Sequence, residues 1–227
     1  RAYAVEGEPS APYLRPYDVF NYFPQPADWL STIRTEDLPS YQLRRGMILQ
    51  TCSGRNLGPA VMVDSYLEKF LLSHDMIRVE IEDRRQRHYV LAFLNSQAGR
   101  RMLRRDKTGS VIDHISEEHL AKLEIPLLSS HVVDQVADAI GQAIGLREKA
   151  RIRLDEMITN YEKQLPIIKR SKALCSGWTV SSNDIEGRLD AAFYDPLVST
   201  VRRQLIRLGG KRVADVAKVL KPAGRYK

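Results

Sequence analysis

The sequence lacks the features that mark several large classes of protein. Its 227 residues include only two cysteines, Cys52 and Cys175, which provide neither a disulfide framework nor the paired spacing of a zinc site. No apolar run approaches the roughly 20 residues that a membrane-spanning helix needs, and no signal-peptide pattern opens the sequence. We therefore expect a cytoplasmic protein that does not associate with a membrane.

Groups of catalytic residues are missing as well. No glycine-rich loop carries the Lys-Ser or Lys-Thr pair that binds phosphate, and the five histidines are scattered without a pair at metal-ligand spacing. The run Asn21-Tyr22-Phe23-Pro24 has some letters of an amino-methyltransferase motif, but in the wrong order. These absences predict a chain that is not itself an enzyme and that binds no metal.

Positive charge, by contrast, is abundant in two places. The 35 Lys and Arg residues outnumber the 28 Asp and Glu residues, for a formal net charge of +7. Residues 84–107 hold eight basic groups against one acid, and residues 201–227 hold nine against one, so the remainder is net acidic. Clustered basic groups favour a polyanion because they release counterions from phosphates. A solvated helix surface is the alternative for each block taken alone.

Residue patterns predict a mixed α/β (α+β) domain with short, irregular strands over residues 1–127. Six prolines exclude long helices from residues 1–45, which we expect to be irregular loops anchored by aromatic side chains. Alternating apolar positions and turn residues predict strands at 47–52, 60–63, 76–82 and 122–127. One helix is predicted at 88–105, and a second, capped by Ser116, at 117–120.

A heptad pattern predicts one long helix between Ser130, as its N-cap, and Pro166, as its stop, with a length of about 50 Å. Its seam is interrupted at Arg147 and otherwise apolar, in two series: Val133, Ile140, Leu154, Tyr161, and Val136, Ala143, Ala150, Met157. Such a seam is typical of helices that pair in a coiled coil. We expect it to pack against a partner helix; the alternative is packing on the core of its own domain.

Residues 170–227 are predicted to hold two helices. Asp195-Pro196 opens the first and Gly209-Gly210 closes it, in keeping with the preference for proline at the start of a helix and glycine past its end. The second covers 212–220, with an inner stripe of Val213, Val216, Ala217 and Leu220. This segment is expected to open a domain rather than to complete one.

An ordered series of short motifs runs through residues 12–165. It comprises Pro-Tyr-Leu-Arg-Pro-Tyr-Asp-Val at 12–19, Gly-Met-Ile-Leu-Gln-Thr-Cys-Ser-Gly at 46–54, residues 73–79, Leu-Asn-Ser at 94–96, Thr-Gly-Ser at 108–110, Ile-Ser at 115–116 and Leu-Glu-Ile-Pro-Leu at 123–127. With these motifs the chain resembles the DNA-specificity subunit of type I restriction–modification systems. It departs from the family at the helix start, where Leu128-Ser129-Ser130 and Asp134-Gln135 replace the usual prolines and Glu-Gln pair.

The resemblance implies three parts: a target-recognition domain at 1–127, a conserved spacer helix at 128–169, and a helical segment at 170–227 that opens a second recognition half. The spacer helix would pair antiparallel with the helix of that second half or of a homodimer. Residues 224–227 would run naturally into residues 1–5 of a repeat. The chain is therefore expected to be one repeat in permuted phase, either a fragment or a half-length subunit that dimerises.

The resemblance also implies a function in phage defence, namely sequence-specific recognition of double-stranded DNA. The chain would direct methyltransferase (modification) subunits and a restriction subunit to the target site. The chain itself would bind no cofactor, because S-adenosylmethionine belongs to the partner methyltransferase subunit. Two alternatives are a recognition module of a single-chain adenine methyltransferase or restriction enzyme, and a free-standing dimeric DNA-binding regulator.

Ten side chains in two loop regions are expected to contact DNA. The first region supplies Arg44, Arg45, Ser53, Arg55 and Asn56, and the second supplies Arg104, Arg105, Lys107, Thr108 and Ser110. Arg and Asn suit bidentate readout of guanine and adenine, while Ser and Thr suit phosphates or bases. A plain turn is the alternative for Ser53-Gly54. The basic block at 201–227 is expected to contact phosphates or a partner subunit.

Overall fold

The computed structural model describes residues 1–26, 28–53, 58–105, 114–165, 178–185, 187–188 and 190–219. The chain divides into two compact units, Arg1–Glu156 and Met157–Lys227. A mixed α+β region with two small sheets is followed by a long helix and later helices, so the predicted fold class is confirmed. In the part of the chain that the structure describes, no helix combines the length and the apolar character needed to cross a membrane.

Two of the three strands of the first sheet lie in the proline-rich segment, so the prediction that residues 1–45 form only irregular loops is wrong. Strand β1 (Ser10–Leu14) lies between the antiparallel β2 (Asp28–Ser31) and the parallel β5 (Leu71–Leu72). Pro12 pairs only with Trp29 of β2, because β5 reaches only the last two residues of β1. A proline fits a strand where no neighbour requires its missing N–H.

The second sheet has the order β4-β3-β6, with β3 (Ile48–Thr51) at its centre. Strands β4 (Ala60–Met62) and β6 (Met76–Val79) both pair antiparallel with it. The three strands predicted here are confirmed, each somewhat shorter than expected. All four residues of β3 are buried, which agrees with a central strand covered on both faces.

The helix predicted at 88–105 is two helices in the structure. Helix α2 (Arg84–Asn95) ends at Ser96, and α3 (Gln97–Arg105) begins directly after it. The Ser96 hydroxyl accepts a hydrogen bond from the Gly99 N–H at 3.0 Å and so caps the first turn of α3. Gly99 packs so closely on the Phe93 carbonyl that a side chain at this position would overlap with it. The close approach turns α3 back against α2.

Short helices α1 (Leu38–Tyr41) and α4 (Glu117–Ala121) complete the first unit. Ser116 caps α4 as predicted, with its hydroxyl accepting from the His119 N–H. The strand predicted at 122–127 is wrong, because these residues pair with no described strand and form no regular element. The side chain of Leu127 is 97% exposed, whereas an apolar residue of a half-buried strand would be covered by the core.

Helix α5 (Ser130–Gln164) has 35 residues, which confirms the predicted long helix. Its first part packs on its own unit, while the expected pairing with a partner helix stays a prediction. Ile140 and Ile144 contact the apolar cluster of the second sheet, and Arg151 is 1% exposed. Ala143, which the heptads placed in the seam, is exposed. The buried stripe follows the core at spacings of three and four rather than the sevens of the seam.

The core of the first unit has two main apolar clusters. One joins β1, β3 and the turn after β4, and includes Leu14, Leu49, Val63, Leu67 and Leu72. The other joins the second sheet to α2, α3 and α5, and includes Ile48, Ile77, Leu91, Leu94 and Leu103. Because β3 contributes Leu49 to the first cluster and Ile48 to the second, it is packed on both faces.

The second unit contains helix α6 (Pro196–Arg207), short 3₁₀ helices at Ser182–Asp184 and Ala191–Tyr194, and α7 (Val213–Val216). The predicted start and end of α6 are confirmed, and Gly209 takes the left-handed conformation with φ +75°. Helix α7 is shorter than predicted. The expected inner stripe is wrong at Val213 and Val216, which are 67% and 68% exposed because no described element covers them. Leu220 lies outside the described residues.

Candidate nucleic-acid interface

Strand β3 separates the expected DNA contacts into two groups. Arg44 and Arg45 precede its N-terminal end, and Ser53 follows its C-terminal end. At about 3.3 Å per residue, the four residues of β3 span roughly 13 Å. The structure therefore does not bring Arg44 and Arg45 together with Ser53, although the sequence analysis assigned all three to one loop region.

Described residues at the C-terminal end of β3 border the two expected loop regions. Ser53 forms an isolated antiparallel bridge with His114, and the Ile115 N–H donates to the Cys52 carbonyl at 2.9 Å. The first loop begins directly after Ser53, and the second ends directly before His114. On the far side of the first loop, Gln50 Nε2 donates to the Gly58 carbonyl at 3.1 Å. The residues that border positions 54–57 on both sides, and the residue that follows positions 106–113, are thus held at one edge of the second sheet.

Five of the expected contact residues fall within these two loops, at positions 54–57 and 106–113. They lie outside the described residues: Arg55, Asn56, Lys107, Thr108 and Ser110.

Helix α3 presents basic side chains on the approach to the second loop. Leu103 is 3% exposed and Gly99 is buried, which directs the opposite side of the helix to solvent. The four exposed arginines on that side are Arg100, Arg101, Arg104 and Arg105. The last turn of the helix therefore contains the expected contacts Arg104 and Arg105.

Arg44 and Arg45 each form an ion pair at the surface. Arg44 Nε donates to Glu80 Oε1 at 2.9 Å, and Arg45 Nη2 lies 3.1 Å from Glu148 Oε1 on α5. Burial raises the pKa of Glu148, but hydrogen bonds from Ser65 and Arg45 outweigh it, so the pKa is lowered overall. Because exposed ion pairs contribute only about 0–1 kcal/mol, a phosphate can replace either carboxylate. Both arginines are compatible with DNA contact.

A cleft beside Ser53 contains residues that the sequence analysis did not single out. The Arg1 guanidinium donates to the Tyr13 hydroxyl at 2.7 Å and lies about 5.9 Å from the centre of the Tyr3 ring. Interactions with Tyr13 and Tyr3 raise the pKa of Arg1. Further lining residues are Arg15, Tyr17, Thr51, Ser73 and Asp75. Arginines beside aromatic rings suit the backbone and bases of a nucleic acid. Arg15 and Tyr17 belong to the motif at 12–19, and this motif could have identified them as candidate contact residues.

The sequence analysis also missed a buried ion pair that holds α5 against the first unit. Arg151 Nη1 lies 2.8 Å from Asp64 Oδ2, and both side chains are almost fully buried. The same guanidinium donates to the carbonyls of Tyr22 and Asn21 at 2.8 and 3.1 Å. The sequence feature that could have revealed this ion pair is the position of Arg147 and Arg151, which continue the helical stripe of Ile140 and Ile144. A charged residue on an apolar helix face needs a buried partner.

The described residues contain no group of three or more His, Cys, Asp or Glu side chains that could hold a metal ion. Burial raises the pKa of the half-buried Cys52 thiol, and the nearby Asp75 carboxylate adds to this effect, so the thiol is protonated at neutral pH. Comparisons of this chain with protein-family models and with curated proteins found no match.

Proposed function

We propose that this chain recognises a specific sequence in double-stranded DNA, as the specificity subunit of a type I restriction–modification complex. The observation that carries the proposal is the bridge between Ser53 and His114. It joins the residue before positions 54–57 to the residue after positions 106–113, and these two segments contain the Arg, Asn, Ser and Thr side chains suited to reading bases. Loops on a rigid scaffold are common recognition elements.

In this proposal the two loops read base edges, and the surrounding arginines position the duplex. Arg55 and Asn56 contact bases from the first loop, while Lys107, Thr108 and Ser110 contact bases or phosphates from the second. Phosphate contacts come from Arg104 and Arg105 at the end of α3, and from Arg44 and Arg45 at the other end of β3. Phosphate contacts set the register of the protein on the duplex, and base contacts set the sequence.

The later part of α5 supports the proposed pairing with another helix. Leu154, Met157, Ile158 and Tyr161 follow helical spacing, and the last three are 59%, 37% and 62% exposed. We propose that this stripe pairs with the corresponding helix of a second recognition half or of a second copy. The paired helices would then dock the methyltransferase subunits, which hold S-adenosylmethionine and transfer the methyl group.

Paired variants test the proposed readout. Arg55→Ala should reduce the preference for the target over random duplex, because a bidentate contact to a base contributes roughly 1–3 kcal/mol of discrimination. Lys107→Ala should weaken binding to all sequences and lower the slope of log affinity against log salt by about one. Arg153→Ala, at an exposed position of α5, is the matched control. Fluorescence anisotropy on duplexes selected from a random pool measures both quantities.

Equal weakening on all sequences by Arg55→Ala would remove its proposed role in readout. Absence of sequence preference in the selection, for the full chain together with its methyltransferase subunit, would reject the function itself. Methylome sequencing with and without the gene provides the cellular test. Loss of methylation at one motif is the expected result, and an unchanged methylome contradicts the proposal.

A further inference from the structure

A second cleft, at the N-terminal end of β3, collects arginine side chains between α2 and α5. Its volume of about 480 Å³ lies within the range of ligand pockets. The residues that matter here are Arg45, Arg84, Arg87, Gly46, Gly141 and Gly145. Arg84 and Arg87 come from the first turn of α2, one helical turn apart, so both reach the same side of the helix. The cleft is separate from the edge at which Ser53 lies.

Arg87 is held in the cleft without a partner for its buried nitrogen. Its guanidinium lies over Gly46, which has φ +92°, and any side chain at position 46 would overlap with it. The Nε atom of Arg87 is buried and makes no hydrogen bond within the described structure. Buried polar groups are normally paired, so Arg87 lines the cleft with a cationic group whose donors the described structure does not fully use.

The acidic groups of the cleft already have other partners. Glu148 accepts from the Ser65 N–H at 3.0 Å and pairs with Arg45. Asp64 pairs with Arg151 at 2.8 Å. Among the described residues neither Arg84 nor Arg87 has a carboxylate within ion-pair distance, so the cleft carries positive charge that is not neutralised internally.

We propose that this cleft binds a phosphate group of the DNA backbone, which rests on the proposed function. Arg84 and Arg87 would donate to the phosphate oxygens, with Arg45 exchanging Glu148 for the same group. Guanidinium groups match phosphate geometry in pairs of parallel hydrogen bonds. Gly145 leaves the α5 wall open, since a Cβ there would meet nothing within 4 Å. The length of β3, roughly 13 Å, corresponds to about four base-pair steps of 3.4 Å, so one duplex can reach both ends of β3.

Titration with inorganic phosphate tests the site without DNA. The full chain should bind phosphate, measured by calorimetry or by chemical shifts of arginine Nε–H groups. Arg87→Gln should weaken this binding by roughly tenfold or more, because it removes charge-assisted hydrogen bonds. Arg153→Gln makes the same change in charge at a 77% exposed position and should leave phosphate binding unchanged.

A second variant guards against loss of folding as the explanation. Gly145→Glu places a carboxylate on the open wall, where it should occupy the arginines and abolish phosphate binding. Glutamate favours the helix more than glycine does, so the unfolding temperature should not fall. Loss of phosphate binding in both variants, with unchanged unfolding of Gly145→Glu, is the expected result. Equal phosphate affinity of wild type and Arg87→Gln overturns the site.

DNA binding then identifies the source of the phosphate. If the phosphate is that of the duplex backbone, Arg87→Gln should lower the slope of log affinity against log salt by about one, and Arg153→Gln should not. An unchanged slope together with lost binding of inorganic phosphate would overturn the DNA assignment in favour of a free phosphate ligand. A chain that binds no DNA would reject the proposed function, while the phosphate titration still decides the site.

Discussion

Replacement of Arg151 by methionine should destabilise the first unit strongly. The change removes a guanidinium that is 1% exposed and that pairs with the fully buried Asp64 carboxylate at 2.8 Å. Methionine retains much of the apolar volume but no donor. The variant therefore leaves the Asp64 charge buried, and it also leaves the carbonyls of Asn21 and Tyr22 without the donors that they have now.

The expected loss is about 3–5 kcal/mol, the usual cost of removing one partner of a buried ion pair. Arg147 already forms a longer ion pair with the same carboxylate, with its Nε 3.6 Å from Asp64 Oδ2, so it compensates part of the charge and we expect a loss toward the lower end of this range. A loss of this size is a large fraction of the free energy of unfolding of a typical protein, which is roughly 5–15 kcal/mol. Helix α5 should consequently be released from the first unit early in unfolding.

Urea unfolding of the full chain, followed by circular dichroism and tryptophan fluorescence, measures the effect. Asp64→Asn, which keeps an oxygen for the N–H groups of Tyr66 and Leu67, completes a double-mutant cycle with Arg151→Met. The double variant should be more stable than the sum of the two single losses predicts. Additive losses, or a loss below about 1 kcal/mol for Arg151→Met alone, would refute the reasoning.

Three further predictions concern packing, pH and assembly. Gly99→Ala should lower the free energy of unfolding by about 2 kcal/mol or more, measured by urea unfolding, because a Cβ would overlap with the Phe93 carbonyl. Hydrogen bonds from Arg34 lower the pKa of Glu8 from 4.5 to about 2. The contribution of the Glu8 carboxylate to the free energy of unfolding should therefore be lost as the pH falls from 4.5 to about 2. Glu8→Gln should remove this part of the pH dependence in acid unfolding. Tyr161→Glu should reduce self-association in analytical ultracentrifugation, because it places a charge in the exposed stripe.

Each of the three has a matched control. Gly145→Ala has open space around its Cβ and should be neutral or slightly stabilising, whereas a loss equal to that of Gly99→Ala would contradict the packing argument. Glu6→Gln should keep the acid dependence of the wild type. Asn160→Glu, next to Tyr161 but off the stripe, should leave the association constant unchanged; equal effects of the two glutamates would argue against the stripe.

Local patterns predicted most of the regular elements. Strands β3, β4 and β6 follow from alternation and turn residues, and α4, α5 and α6 from caps, heptads and proline-glycine punctuation. The predictions failed in two ways. Residues 88–105 read as one helix because their apolar pattern continues past Ser96, although the break is local: Ser96 caps α3, and Gly99 approaches the Phe93 carbonyl six residues earlier. Residues 122–127 alternate like a strand, but no sheet edge is available to them.

The candidate interface divides in the same way. The sequence by itself determined the residue types of the two loops, the basic surface of α3 and the length of α5, because these depend on composition and short-range periodicity. Only the tertiary structure decided that Ser53 joins His114 and that Arg44 and Arg45 lie at the opposite end of β3. It also paired Asp64 with Arg151, which are 87 residues apart in the chain. Such contacts depend on which distant segments of the chain come together in the fold, and local residue spacing does not predict this.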